Sequence, residues 1–180
     1  MRIVGGKYRG KNLFEPKSDE VRPTSDRARE AIFNILYSKI GGVEGRKVLD
    51  VFAGTGALGF EALSRGAQSV CFIDKNTQLV LRNAKLFVKE DDKIKIVCAD
   101  ATRSLHLKEK YNLIFCDAPY DKGLNEKALE SLLSGGFIEE GALCVVETRY
   151  NEDLTLSPFF ELLDERIYGM AKVRLYTFCS

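Results

Sequence analysis

Leu49-Asp50-Val51-Phe52-Ala53-Gly54-Thr55-Gly56-Ala57-Leu58-Gly59 runs from an apolar β-like segment through a glycine turn into a helical pattern. Gly54, Gly56 and Gly59 have the spacing G-x-G-x-x-G, and Asp74 ends the next apolar segment about 20 residues beyond Gly54. Glycines in such a turn let the backbone approach a ligand closely, the following helix presents N–H groups, and a carboxylate at Asp74 can hold ribose hydroxyls. A nucleoside cofactor is therefore expected here, with Phe52, Gly54, Thr55, Gly56 and Lys75 as its neighbours.

Two more acids bear on which cofactor. Asp50 precedes the turn, where it can attract a ligand ammonium. Asp100, followed by Ala101, ends the third apolar segment, where it can accept from an adenine amino group or cap the residues after it. A pyrophosphate has no use for Asp50, whereas an amino acid joined to adenosine does, which favours S-adenosylmethionine over NAD.

Working outward, strands are expected at 48–52, 70–74, 94–98, 112–116 and 143–147, alternating with helical stretches near 57–65, 76–89, 101–107 and 124–134. Such alternation predicts an α/β fold, a mostly parallel sheet with helices on both faces. The segments 159–167 and 171–178 are too close for a crossover helix and read as an antiparallel hairpin at the sheet edge. Arg2-Ile3-Val4 and Lys11-Asn12-Leu13-Phe14, around Gly5, Gly6 and Gly10, read as a small hairpin. After Arg22-Pro23 a helix is expected, capped by Thr24 or Ser25, with Ala28, Ala31, Ile32, Ile35 and Leu36 on one face. The organisation expected is one domain over 1–180, with 1–22 a basic hairpin extension.

At 180 residues, with 45% hydrophobic and 29% charged residues, the chain suits one globular domain. Its apolar runs are far shorter than the roughly 18 residues of a membrane span, and a cytoplasmic monomer is expected. The five cysteines are dispersed beside apolar runs with no C-x-x-C pair, so small reduced core residues are expected and no metal site. His106, between Leu105 and Leu107, has no partner constellation and reads as structural. Net charge is only +1, but residues 1–39 carry an excess of Lys and Arg and the remainder an excess of acids. Arg2, Lys7, Arg9, Lys11, Arg22 and Arg27 are candidates for phosphate contact; Arg27 and Arg29 can equally pair on the surface with Asp26 and Glu30.

Asp117-Ala118-Pro119-Tyr120 closes the apolar run 111–116. It places a carboxylate, a stiff turn and an aromatic face at the carboxyl end of a strand, where ligands sit in open α/β sheets. A flat amino-bearing ring can stack on Tyr120 while Asp117 accepts one of its N–H bonds.

With these segments the chain resembles the class I S-adenosylmethionine-dependent methyltransferases, and within them the bacterial 16S ribosomal RNA guanine-N(2) methyltransferases. The similarity is carried by Arg2-Ile3-Val4-Gly5-Gly6 with Arg9-Gly10-Lys11, by residues 22–36 beginning Arg22-Pro23-Thr24-Ser25-Asp26-Arg27, by Asp50 to Gly59 with residues 61–67, and by Asp117 to Tyr120. It implies a Rossmann-like seven-stranded sheet and cofactor contacts near Asp50, Gly54, Asp74 and Asp100. It also implies a flipped guanine at Asp117 and Tyr120, in 16S rRNA or the small ribosomal subunit. The family usually shows Asp-Pro-Pro before the aromatic; with Ala118 here, the carbonyl expected to accept the second amine hydrogen remains and one φ restraint is lost. An NAD-dependent oxidoreductase, a DNA adenine methyltransferase and a non-catalytic RNA-binding assembly factor are the competing readings.

Overall fold

Near-continuous runs of Val, Ile, Leu and Phe suit strands buried on both faces. β1 (Lys47–Val51), β2 (Ser69–Asp74), β3 (Ile94–Cys98), β4 (Tyr111–Cys116), β5 (Ile138–Arg149), β6 (Phe160–Tyr168) and β7 (Ala171–Phe178) form one seven-stranded sheet of order β3-β2-β1-β4-β5-β7-β6. The first five positions in that order are parallel, and β7 pairs antiparallel with both β5 and β6. The helices are α1 (Asp26–Ile40), α2 (Ala57–Ser64), α3 (Gln78–Ala84) and α4 (Leu124–Ser134). The structure is a computed structural model that describes residues 1–16, 26–120 and 122–180. The expected caps Thr24 and Ser25, and Arg22, lie outside the described residues.

Because side chains alternate along a strand, the sheet feeds two cores. Val48, Val70, Leu113 and Val145 pack with Phe33 and Leu36 of α1 and Phe60 and Leu63 of α2. Leu49, Cys71, Ile114 and Cys144 pack with Leu129 and Leu132 of α4 on the opposite face. Phe60 lies between Phe72 and Phe87, 4.6 Å from each ring centroid. Gly59 permits this close approach of α2 to β2, since a Cβ there would overlap the Phe72 ring.

The N-terminal hairpin is present, with an Arg2–Asn12 bridge and the Ile3 N–H donating to the Lys11 carbonyl at 2.9 Å. It docks on α2: the Glu61 carboxylate accepts the Val4 and Gly5 N–H groups, each at 2.8 Å. Arg29 joins this junction. It is fully buried, 3.5 Å from Glu61 and 2.7 Å from Asp26, and donates to the Arg2 carbonyl. The expected pairing of Arg29 with Asp26 is present, but it is made from inside the fold and not on the surface, and the buried guanidinium is not placed to grip a phosphate.

Other expectations also change. The helix expected over 101–107 is absent; Asp100 Oδ1 accepts both the Thr102 N–H (3.0 Å) and its hydroxyl (2.7 Å) and so caps the residues after it, but only one turn forms, the Arg103 N–H donating to the Asp100 carbonyl at 3.1 Å. Leu105 then packs from an irregular segment and His106 is exposed on it. The 76–89 helix divides into α3 and a 3₁₀ stretch over Lys85–Lys93. β5 starts at Ile138, earlier than its apolar run, where Ile138 pairs with Tyr111; Gly141 (φ 73°) lies in this extension, and the register with β4 shifts between Tyr111 and Leu113. Cys71, Cys116 and Cys144 are core residues, but Cys98 and Cys179 are exposed. Among the described residues no helix is long and apolar enough to cross a membrane.

Candidate active site

Strand register assembles the site. Val51 pairs with Ile73 on one side and Cys116 on the other, and Cys116 pairs with Val146. The residues that follow these pairs are Asp74, Phe52, Asp117 and Glu147, so the four gather where β2, β1 and β4 end beside β5, which runs on to Arg149. The glycine turn and the Asp-Ala-Pro-Tyr turn, distant in sequence, flank one crevice.

On the β1 side the chain leaves the sheet sharply. Phe52 has φ 61°, a conformation that bulky residues rarely adopt and that costs about 1–3 kcal/mol unless its surroundings impose it. Here the Ala53 N–H is held by the Ile73 carbonyl at 3.0 Å, and Gly54 (φ 55°) and Gly56 (φ 77°) follow. Asp74 holds the turn from the next strand, accepting the Gly54 N–H on Oδ2 and the Asn76 N–H on Oδ1, both at 2.8 Å. Asp50 Oδ2 accepts the Gly59 N–H at 2.9 Å. Thr55 is buried, its carbonyl taken by Asn83 Nδ2 at 2.9 Å. Asn83 also exchanges hydrogen bonds with the Phe14 backbone, so the N-terminal segment reaches the glycine turn. Lys75, mostly exposed, pairs with Asp100 at 3.1 Å, and Ala101 is buried beside it. The Thr102 hydroxyl and N–H, with Lys75 adding, hold the Asp100 carboxyl down at about 2.

The charge of this end favours a cation. Burial pushes the Asp50 carboxyl well above the usual range, and the fields of Asp117 and Asp74 push it further, against the Gly59 N–H. A ligand ammonium or sulfonium would relieve that repulsion, and a pyrophosphate would add to it. In the glycine turn the Gly54 N–H serves the Asp74 carboxylate, and the Gly59 N–H, within α2, serves Asp50. The donor set thus fits a cationic amino-acid nucleoside.

On the β4 side, Asp117 and Tyr120 are half-buried, Ala118 is buried and Pro119 exposed. The Tyr120 hydroxyl donates to Glu147 Oε1 at 2.8 Å, and the Arg149 guanidinium lies 5.8 Å from the Tyr120 ring centroid. Glu147 is 6% exposed, and its Oε2 has no hydrogen-bond partner among the described residues. Burial, then Asp117, pushes its carboxyl up to about 8, with the Tyr120 hydroxyl acting the other way.

Of the basic candidates, Arg2, Arg9 and Arg27 line a cleft of about 270 Å³ with Asp26 and Glu30, between hairpin and α1. Lys7 is paired with Glu90, and Lys11 lies over the Tyr8 and Phe87 rings.

The family model described as "Conserved hypothetical protein 95" matches residues 1–177. The chain belongs to this family. It is 35% identical over 181 residues to the Escherichia coli (strain K12) protein "Ribosomal RNA small subunit methyltransferase D", spanning 98% of this chain and 89% of that protein. The protein of the same name from Haemophilus influenzae is 32% identical, with 98% and 93% covered. The solved structure "Putative methyltransferase yhhF from Escherichia coli" superposes with a TM-score of 0.83 at 33% identity, covering 100% of this chain and 98% of that one.

In this member of the Conserved hypothetical protein 95 family, sequence reasoning missed two site residues. Glu147 passed as the last residue of a strand, although a carboxylate ending Leu143-Cys144-Val145-Val146 was a signal. Asn125 accepts the Ala118 N–H at 3.2 Å and donates to the Glu147 carbonyl at 2.9 Å. No local pattern announced it.

Proposed function

We propose that this protein transfers a methyl group from S-adenosylmethionine to the exocyclic amine of a guanine in 16S rRNA, within the assembled or assembling small ribosomal subunit. The observation that carries the reading is the register placing Asp117 one strand from the glycine turn, so that a target amine and a methyl donor share one crevice. The relatives' name, "Ribosomal RNA small subunit methyltransferase D", supports rRNA as the substrate.

The methyl donor is S-adenosylmethionine, which when bound supplies an electrophilic methyl on a sulfonium. Asp50 and Phe52 would hold its amino-acid end, Gly54, Thr55 and Gly56 would give it close backbone contact, Asp74 would receive ribose hydroxyls, and Lys75, Asp100 and Ala101 would border the adenine. The guanine amine is a poor nucleophile because its lone pair is delocalised into the ring. Asp117 and the Ala118 carbonyl accept its two N–H bonds, draw the nitrogen towards tetrahedral geometry and aim the lone pair at the methyl. As the N–C bond forms and the C–S bond of the sulfonium breaks, leaving a thioether, the Asp117 carboxylate stabilises the positive charge growing on nitrogen and accepts the proton that the methylated amine then loses. Pro119 stiffens the turn and Tyr120 stacks on the base, worth about 1–3 kcal/mol. Aligning the two reactants contributes about 7–11 kcal/mol more.

Arg2, Arg9 and Arg27 receive RNA phosphates along the cleft they line, with Lys7 and Lys11 beside them and Arg22 in the segment leading to α1. Labelled methyl incorporation tests the reading, with undermethylated small subunits, naked rRNA and duplex DNA as parallel substrates. Label in the particle or its RNA is expected; label in DNA alone, or in none despite S-adenosylmethionine binding, would overturn it.

A further inference from the structure

A proline after Asp117 would fix φ and carry no N–H; Ala118 leaves φ unrestrained and brings a buried N–H that needs an acceptor. Asn125 supplies it, its Oδ1 lying 3.2 Å from the Ala118 nitrogen. The Nδ2 of the same amide donates to the Glu147 carbonyl at 2.9 Å, and Asn125 is itself only 4% exposed. It stands in the first turn of α4, just after Gly123, whose φ of 58° turns the chain into the helix. One planar side chain thus ties the end of β4, the start of α4 and the end of β5. Holding the Ala118 N–H fixes the peptide plane between Asp117 and Ala118, and Pro119 confines ψ of the residue before it. Together these restraints orient the Ala118 carbonyl.

We infer that Asn125 is the positioning residue of the Asp117-Ala118-Pro119-Tyr120 turn, fixing through the Ala118 N–H the peptide plane between Asp117 and Ala118, where a proline ring would instead fix φ. The inference rests on the function proposed above, in which the Ala118 carbonyl receives an amine hydrogen. Asn125 touches neither substrate; it acts through the backbone it holds.

The test is a four-protein cycle of wild type, N125L, A118P and A118P/N125L, measuring methyl transfer to undermethylated small subunits and melting temperature. In the native background N125L lowers kcat by about 10–100-fold, with the KM for S-adenosylmethionine little changed, because the turn is misplaced while the cofactor side is untouched. In the A118P background, where no N–H remains to be held, N125L lowers kcat by no more than about threefold. Equal factors in the two backgrounds would overturn the inference. Should A118P alone block turnover, melting temperature decides: N125L must cost less in A118P than in the native chain, because one fewer buried polar group is stranded, and equal costs overturn it. Wild-type protein that methylates no guanine would contradict the proposed function instead, while the melting-temperature comparison would still judge Asn125.

Discussion

Glu147, next to the β5 partner of Cys116, receives the Tyr120 hydroxyl on its buried carboxyl at 2.8 Å. Burial and the neighbouring Asp117 push it up to about 8, which favours the protonated form at neutral pH. That keeps a second negative charge away from Asp117 while Tyr120 stays anchored by its hydroxyl.

The raised Glu147 predicts a pH dependence of stability. Its folded value of about 8 stands above the usual 4.5. Its stabilisation is therefore fully present below about pH 4.5 and is lost as pH rises through about 8. Glu147→Gln removes the titration while keeping an acceptor for Tyr120. The melting temperature of the wild type should fall relative to E147Q across that window; a constant difference would mean that Glu147 is not held protonated.

Asp117→Ala removes the anion that faces the developing charge. A drop in kcat of about 10²–10³-fold is expected, with S-adenosylmethionine affinity largely retained in a calorimetric titration. Full activity in the variant would remove Asp117 from the mechanism.

Asp50, pushed up by burial and by Asp117 and Asp74, should ionise when a cationic ligand arrives. S-adenosylmethionine binding should then release protons, read as a dependence of the apparent binding enthalpy on the ionisation enthalpy of the buffer. Asp50→Asn should abolish that dependence and weaken binding; proton uptake by the wild type would contradict the assignment.

Arg9 and Arg29, both in the basic N-terminal region, should behave oppositely. Arg9 is exposed in the cleft, so Arg9→Ala should leave stability within about 0.5 kcal/mol and lower the slope of log affinity for rRNA against log salt by about 0.7–0.9. Arg29→Ala empties a fully buried site and removes the guanidinium that holds Asp26 and the Arg2 carbonyl, while Glu61 keeps Arg65 at 2.7 Å, and should cost about 1–3 kcal/mol in urea unfolding. Reversal of this order would show that the buried junction is misassigned.

The contrast also marks what was legible in the chain. The glycine turn and the Asp-Ala-Pro-Tyr turn could be read because local backbone requirements, positive φ at Gly54 and Gly56 and the stiffness of Pro119, leave their mark in residue type. The sheet followed from apolar runs of strand length. Arg29, Asn125 and Glu147 were not legible in this way, since each acquires its role from partners on other elements: Glu61 for Arg29, Ala118 for Asn125, Asp117 and Tyr120 for Glu147. The misread helix at 101–107 has a similar cause, because Ala101 and Leu105 have helical spacing but bury their side chains against the sheet from a single capped turn and an irregular segment.

The most direct measurement is nucleoside digestion and mass spectrometry of small-subunit RNA after reaction with S-adenosylmethionine and the purified protein. The account predicts one new methylated guanosine with the methyl on the exocyclic N2, absent when Asp117→Ala is used. Methylation of adenine, or of a guanine ring nitrogen, would contradict the assignment of Asp117 and the Ala118 carbonyl as acceptors of a guanine amine.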